Sequence, residues 1–204
     1  MRHHLLAIAL CLLLASCGAE TGDDPGGGNR SSSGGTPEAT SFVFPLAGGL
    51  QRVTKKTFGL FVTPQSSPVQ PERFTGYHTG IDFEILLGEE DQPVRVTAVC
   101  TGAVSFTGWV KGYGGVLITD CAVKDQPVTV LYGHLKESSV AVRKGASVQA
   151  GQDIAELGKG FSSETDGERK HLHLAVHRGS DINYKGYVQK KEDLQQWMDP
   201  GGLF

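Results

Sequence analysis

Residues 168–179 read ERKHLHLAVHRG, and three of the chain's seven histidines, His171, His173 and His177, fall there at positions two and four apart. In an extended strand the side chains of residues 171, 173, 175 and 177 share one face, with the first two roughly 6.6 Å apart along the backbone. In a helix, His173 and His177 would pair at i and i+4 instead. The surroundings decide for the strand. From residue 41 onward the chain is a succession of short runs broken by glycine: SFVFPL, FGLFVTP, GIDFEIL, VRVTAVC, GAVSFTGWV, GVLITDC, PVTVLYGHL, DIAELGKG and HLHLAVH. Such runs, rich in β-branched and aromatic residues, predict an all-β fold, a compact antiparallel sandwich or barrel. The stretch VRKGASVQAGQDIAELG (142–158) sets two glycine turns between short apolar pairs, which suits a barrel-sandwich. Only KKEDLQQWMDP (190–200) has helical composition, with Asp199-Pro200 and Gly201 to stop it, so a short C-terminal helix is expected. No internal repeat is evident.

The flanks of this β-rich body have a different character. The 204 residues, 39% hydrophobic and 20% charged, suit one globular domain with extra segments. Residues 1–16 have a basic start, an apolar stretch Leu5–Ala15 and small residues before Cys17, the layout of an export signal. That stretch is too short to span a bilayer. Leu14-Ala15-Ser16-Cys17 resembles a bacterial lipobox, which implies cleavage before Cys17 and a lipid on its thiol; ordinary secretion with cleavage nearby is the alternative. Residues 17–40 are Gly-, Ser- and Pro-rich with almost no apolar side chain, and they read as a tether. The expected division is therefore a signal peptide over 1–16, a lipidated tether over 17–40 and a folded domain over 41–204. Gly18 replaces the aspartate that often signals inner-membrane retention, so in a cell with two membranes the expected anchor is the outer one, facing the periplasm.

The formal charge of −3 becomes about −4 once Arg2 leaves with the leader, and no polybasic run could track phosphates, which excludes nucleic acid as an expected partner. Cys100 and Cys121 remain as the cysteine pair of the folded part. Export to an oxidising compartment points to a disulfide, with a buried thiol pair or one reactive cysteine as alternatives.

Three histidine-bearing elements carry candidate chemistry. As a helix, the opening stretch would need a glutamate after its first histidine to match a zinc-binding HExxH pattern, and Leu174 stands there. In GYHTGIDFEI (76–85), His78 and Asp82 stand four apart across Thr79, Gly80 and Ile81, which argue for a turn running into a strand. An imidazole and a carboxylate suit zinc, which in catalytic sites takes three protein ligands and keeps a position for water. In VTVLYGHLKE (128–137), a β-rich run delivers His134 at its end.

Taken in order as H-x3-D, Y-G-H-L and H-L-H, these elements resemble the lysostaphin-type or LytM-domain zinc metallopeptidases that cut peptidoglycan. The resemblance covers roughly residues 42–180 and includes GYGGVLITD (112–120). It implies zinc held by His78, Asp82 and His173, with His134 and His171 beside it as catalytic groups. A two-histidine, one-carboxylate shell with an open position agrees with the chemistry of amide hydrolysis, and the two extra imidazoles suit proton transfer or oxyanion stabilisation. His177 reads as a solvated strand end. Many family members have a short Ser-Thr-Gly run before H-L-H and an aromatic then glutamate after it. This chain has GFSSETDGERKHLHLAVH, and Arg169 and Lys170 there read as exposed loop charge or as partners for a carboxylate of an acidic peptide stem.

Two other functions compete. A non-catalytic LytM domain would activate a separate cell-wall enzyme, such as an amidase, but such modules have generally lost zinc-site residues and this chain keeps them. A cysteine peptidase would use Cys100 or Cys121, yet neither has a helix N-terminus or adjacent cation to activate its thiol. No G-x-S-x-G serine motif is present, and a purely structural lipoprotein leaves the ordered histidine and aspartate positions unexplained. The expected function is zinc-dependent hydrolysis of peptide bonds in peptidoglycan stems or cross-bridges.

Overall fold

The computed structural model describes residues 42–204; the expected leader, Cys17 and the tether to residue 40 lie outside the described residues. Among the described residues, glycine punctuation and β-branched runs become twelve strands: β1 (Phe61–Val62), β2 (Gly76–His78), β3 (Gly80–Glu84), β4 (Arg95–Thr97), β5 (Gly102–Val110), β6 (Gly114–Val123), β7 (Gln126–Leu135), β8 (Ser147–Val148), β9 (Asp153–Glu156), β10 (His171–Arg178), β11 (Tyr187–Val188) and β12 (Trp197–Met198). Their pairings are antiparallel. The main sheet runs β12-β10-β7-β6-β5-β8, and β3 joins it beside β10. Two small sheets, β1-β2-β11 and β4-β9, complete the arrangement. The all-β, antiparallel reading holds.

Strand β10 organises the molecule because it is paired along both edges. Residues His173–Arg178 pair with β7, while the opposite edge is shared by β3, along His171–Ala175, and β12, along Val176–His177. Alternation sends Leu172, Leu174 and Val176 into the main core with Ile81, Phe83, Leu117, Val130 and Tyr132. Each such aliphatic side chain, fully buried, stabilises the fold by roughly 1.5–3 kcal/mol. The opposite face carries the histidines, and it is covered too. A second cluster of Tyr113, Val116, Ile118, Leu131, Ala175, Val188 and Trp197 packs there, with Tyr77 of the small sheet against it. His171 and His173 are consequently only 2% and 3% exposed.

Two local expectations differ from the fold. Phe42–Leu46 forms no strand and bends at Pro45 and Leu46: Val43 N–H reaches the Val99 carbonyl at 2.8 Å and Thr97 N–H the Pro45 carbonyl at 2.9 Å. Pro45 has no N–H with which to continue a ladder. The C-terminal helix is a six-residue 3-10 turn, Lys191–Gln196, and not an α-helix. It stops before Asp199-Pro200 because Trp197 is drawn into the second cluster and pairs with His177 on β10.

Cys100 and Cys121 form a disulfide across a sequence separation of 21, tying the chain after β4 to β6. Gly102 beside it cannot take a larger side chain, since a Cβ would collide with the Asp120 carbonyl. The bridge leaves neither cysteine free for nucleophilic chemistry. Closing a loop of this length restricts the unfolded chain by about 3 kcal/mol. The Cys100→Ser/Cys121→Ser double variant should keep its β-rich circular dichroism and lose about that much stability in urea unfolding; equal midpoints for both proteins would show that the bridge adds nothing.

Candidate metal centre

The H-x3-D spacing works because the chain changes sheets within it. His78 ends β2 in the small sheet, and after Thr79 the chain enters β3 of the main sheet at Gly80. A Cβ on Gly80 would collide with the Leu174 carbonyl, so glycine is what lets β3 start this close to β10. Asp82 then stands directly opposite His173, with Gly133 of β7 in the same row on the other side. A Cβ on Gly133 would lie 2.5 Å from the Tyr113 ring, so glycine also makes the space that Tyr113 fills.

The three predicted ligand residues converge. His78 Nε2 is 3.0 Å from His173 Nδ1, His173 Nδ1 is 3.1 Å from Asp82 Oδ1, and His78 Nε2 is 3.2 Å from Asp82 Oδ1. Zinc bonds of 2.0–2.1 Å in a tetrahedron put adjacent ligand atoms about 3.3 Å apart. The triangle is therefore close to one tetrahedral face, and its donor set fits a zinc ion. The far nitrogen of His78, Nδ1, lies 3.2 Å from the Thr57 carbonyl; donating its proton there leaves Nε2 with a lone pair on the triangle.

Electrostatics favour an ionised Asp82 beside neutral His173 and His134. Burial by itself would raise the pKa of Asp82, but the neighbouring His78 and His171 imidazoles outweigh it and hold the carboxyl well below its ordinary value. Burial lowers His173 to about 4, against which the hydrogen bond to Asp82 works only in part. Burial, reinforced by His171 and His173, also pushes His134 well down. Ligating nitrogens must be unprotonated, so this environment suits metal binding at neutral pH.

His134 reaches the site by a route that strand alternation alone does not provide. Gly133 shares a row with His173, so the next residue of a regular strand would face away. The register between β6 and β7 slips here: Gly115 pairs with Leu135 and Val116 with Gly133, leaving His134 as the extra residue of a bulge. Its backbone is left-handed, with φ of 63°. Bulges re-aim side chains in this way. The His134 ring consequently lies 4.3 Å from the His171 ring and 5.4 Å from the Tyr113 ring, centre to centre. His171 donates from Nδ1 to the Arg169 carbonyl at 2.9 Å, and its Nε2 stands 3.4 Å from Asp82 Oδ2.

These residues line a cleft of about 260 Å³, walled also by Phe74, Lys111, Tyr113, Tyr184, Gly186, Tyr187 and Gln189. Four buried polar atoms without a protein partner belong to cleft residues: His134 Nδ1, His173 Nε2, Tyr113 Oη and Arg169 Nη1. Buried polar groups are rarely left so, and their concentration here marks the cleft as a place where further hydrogen bonds or ligation are made. Burial raises the pKa of both Tyr113 and Tyr187, so their phenols stay protonated as donors.

Arg169 and Lys170 correct the sequence reading, since neither is exposed loop charge; each is 9% exposed. Lys170 Nζ donates to the carbonyls of Glu89, Glu90 and Gln92. Arg169 bonds Asp82 and Glu84. Glu84 was legible in principle, because strand alternation puts it on the same face as Asp82. Tyr113 on a turn, Tyr187 on the short strand β11 and the buried Lys56–Glu72 ion pair at the cleft edge come from distant parts of the chain and have no local signal. His177 packs edge-on to Trp197 at 5.0 Å, on the stretch of β10 beyond the cleft, and takes no part.

A β-sheet protein with two imidazoles and one carboxylate gathered beside a cleft falls in the class whose sites suit a metal ion. The chain matches the profile of peptidase family M23 over residues 76–185 and belongs to that family. Comparison with curated protein sequences returns no match. Among solved structures it is similar to the catalytic domain of lysostaphin from Staphylococcus simulans, at 24% identity over 74% of this chain and 91% of that one, with a TM-score of 0.48. It is also similar to the SpoIIQ–SpoIIIAH pore-forming complex, at 17% identity over 81% of this chain and 92% of that one, with a TM-score of 0.51. Against LytM from Ruminococcus gnavus ATCC 29149, with 24% identity and a TM-score of 0.41, the match covers 50% of this chain and 39% of that one.

The depressed histidine pKa values make stability depend on pH. A histidine whose folded pKa lies below its unfolded 6.5 binds fewer protons when folded; its stabilising contribution is whole above 6.5 and is lost as pH falls toward the folded value. With His173 at about 4, taking chelator-treated protein from pH 7 to pH 5 should cost on the order of 2 kcal/mol from this residue. His134 shifts in the same direction and adds to the loss. Urea unfolding at the two pH values measures it, and equal stabilities would contradict the buried, neutral state of these rings.

Proposed function

We propose that the protein is a zinc-dependent endopeptidase that hydrolyses peptide bonds in peptidoglycan stems or cross-bridges, with residues 41–204 as the peptidase domain. The observation that carries this reading is the triangle of His78 Nε2, Asp82 Oδ1 and His173 Nδ1, with sides of 3.0–3.2 Å, beside two further histidines. Membership of peptidase family M23 supports peptide-bond hydrolysis as the reaction class.

In this reading His78, Asp82 and His173 hold the ion. A bound zinc supplies a Lewis acid and lowers the pKa of coordinated water to about 7. The remaining tasks belong to the chain. His171, with Nδ1–H committed to the Arg169 carbonyl, uses Nε2 to exchange a proton. His134, kept neutral by burial, is the second group able to take or give one. Between them they serve the attacking water and the departing amine. The protonated Tyr113 hydroxyl is an available donor to oxygen on the substrate. The walls of the cleft hold the peptide and exclude bulk water.

A lipid on Cys17 and the Gly/Ser-rich stretch to residue 40 complete the proposal: the domain works on a leash from the bacterial envelope, at the periplasmic face of the outer membrane where there are two membranes. That places the domain beside its polymer and any cell-wall enzyme partner.

Purified protein should carry about one zinc per chain by elemental analysis. Mass spectrometry of muropeptides from digested sacculi should show new peptide-bond cleavage that a chelator abolishes. His173→Ala should lose both metal and activity. His134→Ala and His171→Ala should keep the metal and lose roughly 10²–10⁴-fold in rate. Folded, metal-free protein that cleaves nothing yet stimulates an amidase would replace this reading with an activator role.

A further inference from the structure

A second buried carboxylate lies one strand repeat from Asp82. Glu84 follows Asp82 by two residues in β3, so it shares the same face of the sheet, and it stands opposite His171 as Asp82 stands opposite His173. It is 8% exposed. Two neighbouring buried carboxylates repel each other and bind protons in compensation unless a cation answers both. The guanidinium of Arg169 does so: Nε donates to Glu84 Oε2 at 3.0 Å, and Nη2 bridges Glu84 Oε1 and Asp82 Oδ2, the latter at 2.9 Å. Lys55 reaches Glu84 from the solvent side at 3.5 Å. The same Arg169 orients His171 through its backbone carbonyl.

The planar fork matters here. Two parallel bonds to Glu84 fix the guanidinium plane, and a plane so fixed holds Asp82 Oδ2 at a defined place. Asp82 Oδ1 is then the oxygen left on the triangle with His78 and His173. A carboxylate with both oxygens free can take a metal through one or both, and the second mode occupies a position that water needs.

We propose that Arg169, locked by Glu84, is a positioning residue that restricts Asp82 to one-oxygen ligation. The inference rests on the zinc reading above. It explains why the run Glu168-Arg169-Lys170 can stand before H-L-H: each side chain is committed to the fold, Glu168 to Arg73, Lys170 to the carbonyls of 89–92, and Arg169 to the ligand itself.

The test compares wild type with Arg169→Lys and with the double variant Glu84→Gln/Arg169→Met, all checked for folding by circular dichroism. The double variant removes both charges together, so neither is left buried alone. Zinc affinity is measured by competition with a chromogenic chelator, and the ligand field by the visible absorption of cobalt(II)-substituted protein. Loss of an outer-shell partner should weaken zinc by roughly 10–100-fold, and the cobalt bands should weaken as a second Asp82 oxygen enters coordination. Arg169→Lys should not restore either, because one ammonium cannot make the paired contact. Wild-type affinity and spectrum in the folded double variant, or full recovery with lysine, would overturn the proposal. A wild-type protein that binds no zinc would instead bring down the metal reading on which it rests.

Discussion

The antiparallel register that sets His173 opposite Asp82 is the constraint on which the rest of the site depends. A slip of one residue along β10 would turn both histidines to the core face and bring Leu172 and Leu174 to the cleft. That slip is opposed by the core itself, since Leu172, Leu174 and Val176 pack with Phe83 and Tyr132. Hydrophobic burial on one side of the strand thus holds polar geometry on the other. Gly80 and Gly133 allow the close approach of neighbouring backbone and ring that the register requires.

Burial gives the site its character. With both faces of β10 covered, His173 and His134 are pushed toward neutrality, while Asp82 stays ionised through its neighbours. A buried anion needs partners for both oxygens. Oδ1 turns to the two histidines of the triangle, and Oδ2 to Arg169. The arginine in turn draws in Glu84, so one charge in the triangle organises a network reaching to the cleft wall. Membership of peptidase family M23 fits this arrangement.

Much of this was legible before any coordinates. Alternation in HLHLAVH separates the core leucines from the histidines, and the glycine-bounded runs give the strands. His78, Asp82 and His173 emerged only by joining three distant motifs, since each alone is weak. His134 was found the same way, although simple alternation cannot say that it shares a face with His173; the bulge decides that. Arg169 and Lys170 were misjudged because charge in a polar loop normally meets solvent, and nothing local reveals that carbonyls of residues 89–92 and the carboxylates of β3 lie waiting. The C-terminal segment had helical composition, but pairing of Trp197 with β10 overrode it.

The sequence by itself determined the all-β class, the faces of the strands and the inventory of candidate ligands, because these follow from backbone sterics with a period of two residues and from side-chain chemistry. Tertiary structure alone decided which donors meet, which oxygen of Asp82 is free, how His134 is aimed and where the charges of Arg169 and Lys170 go. Those outcomes depend on register, bulges and burial between residues about 90 positions apart, and no local preference of the chain encodes them.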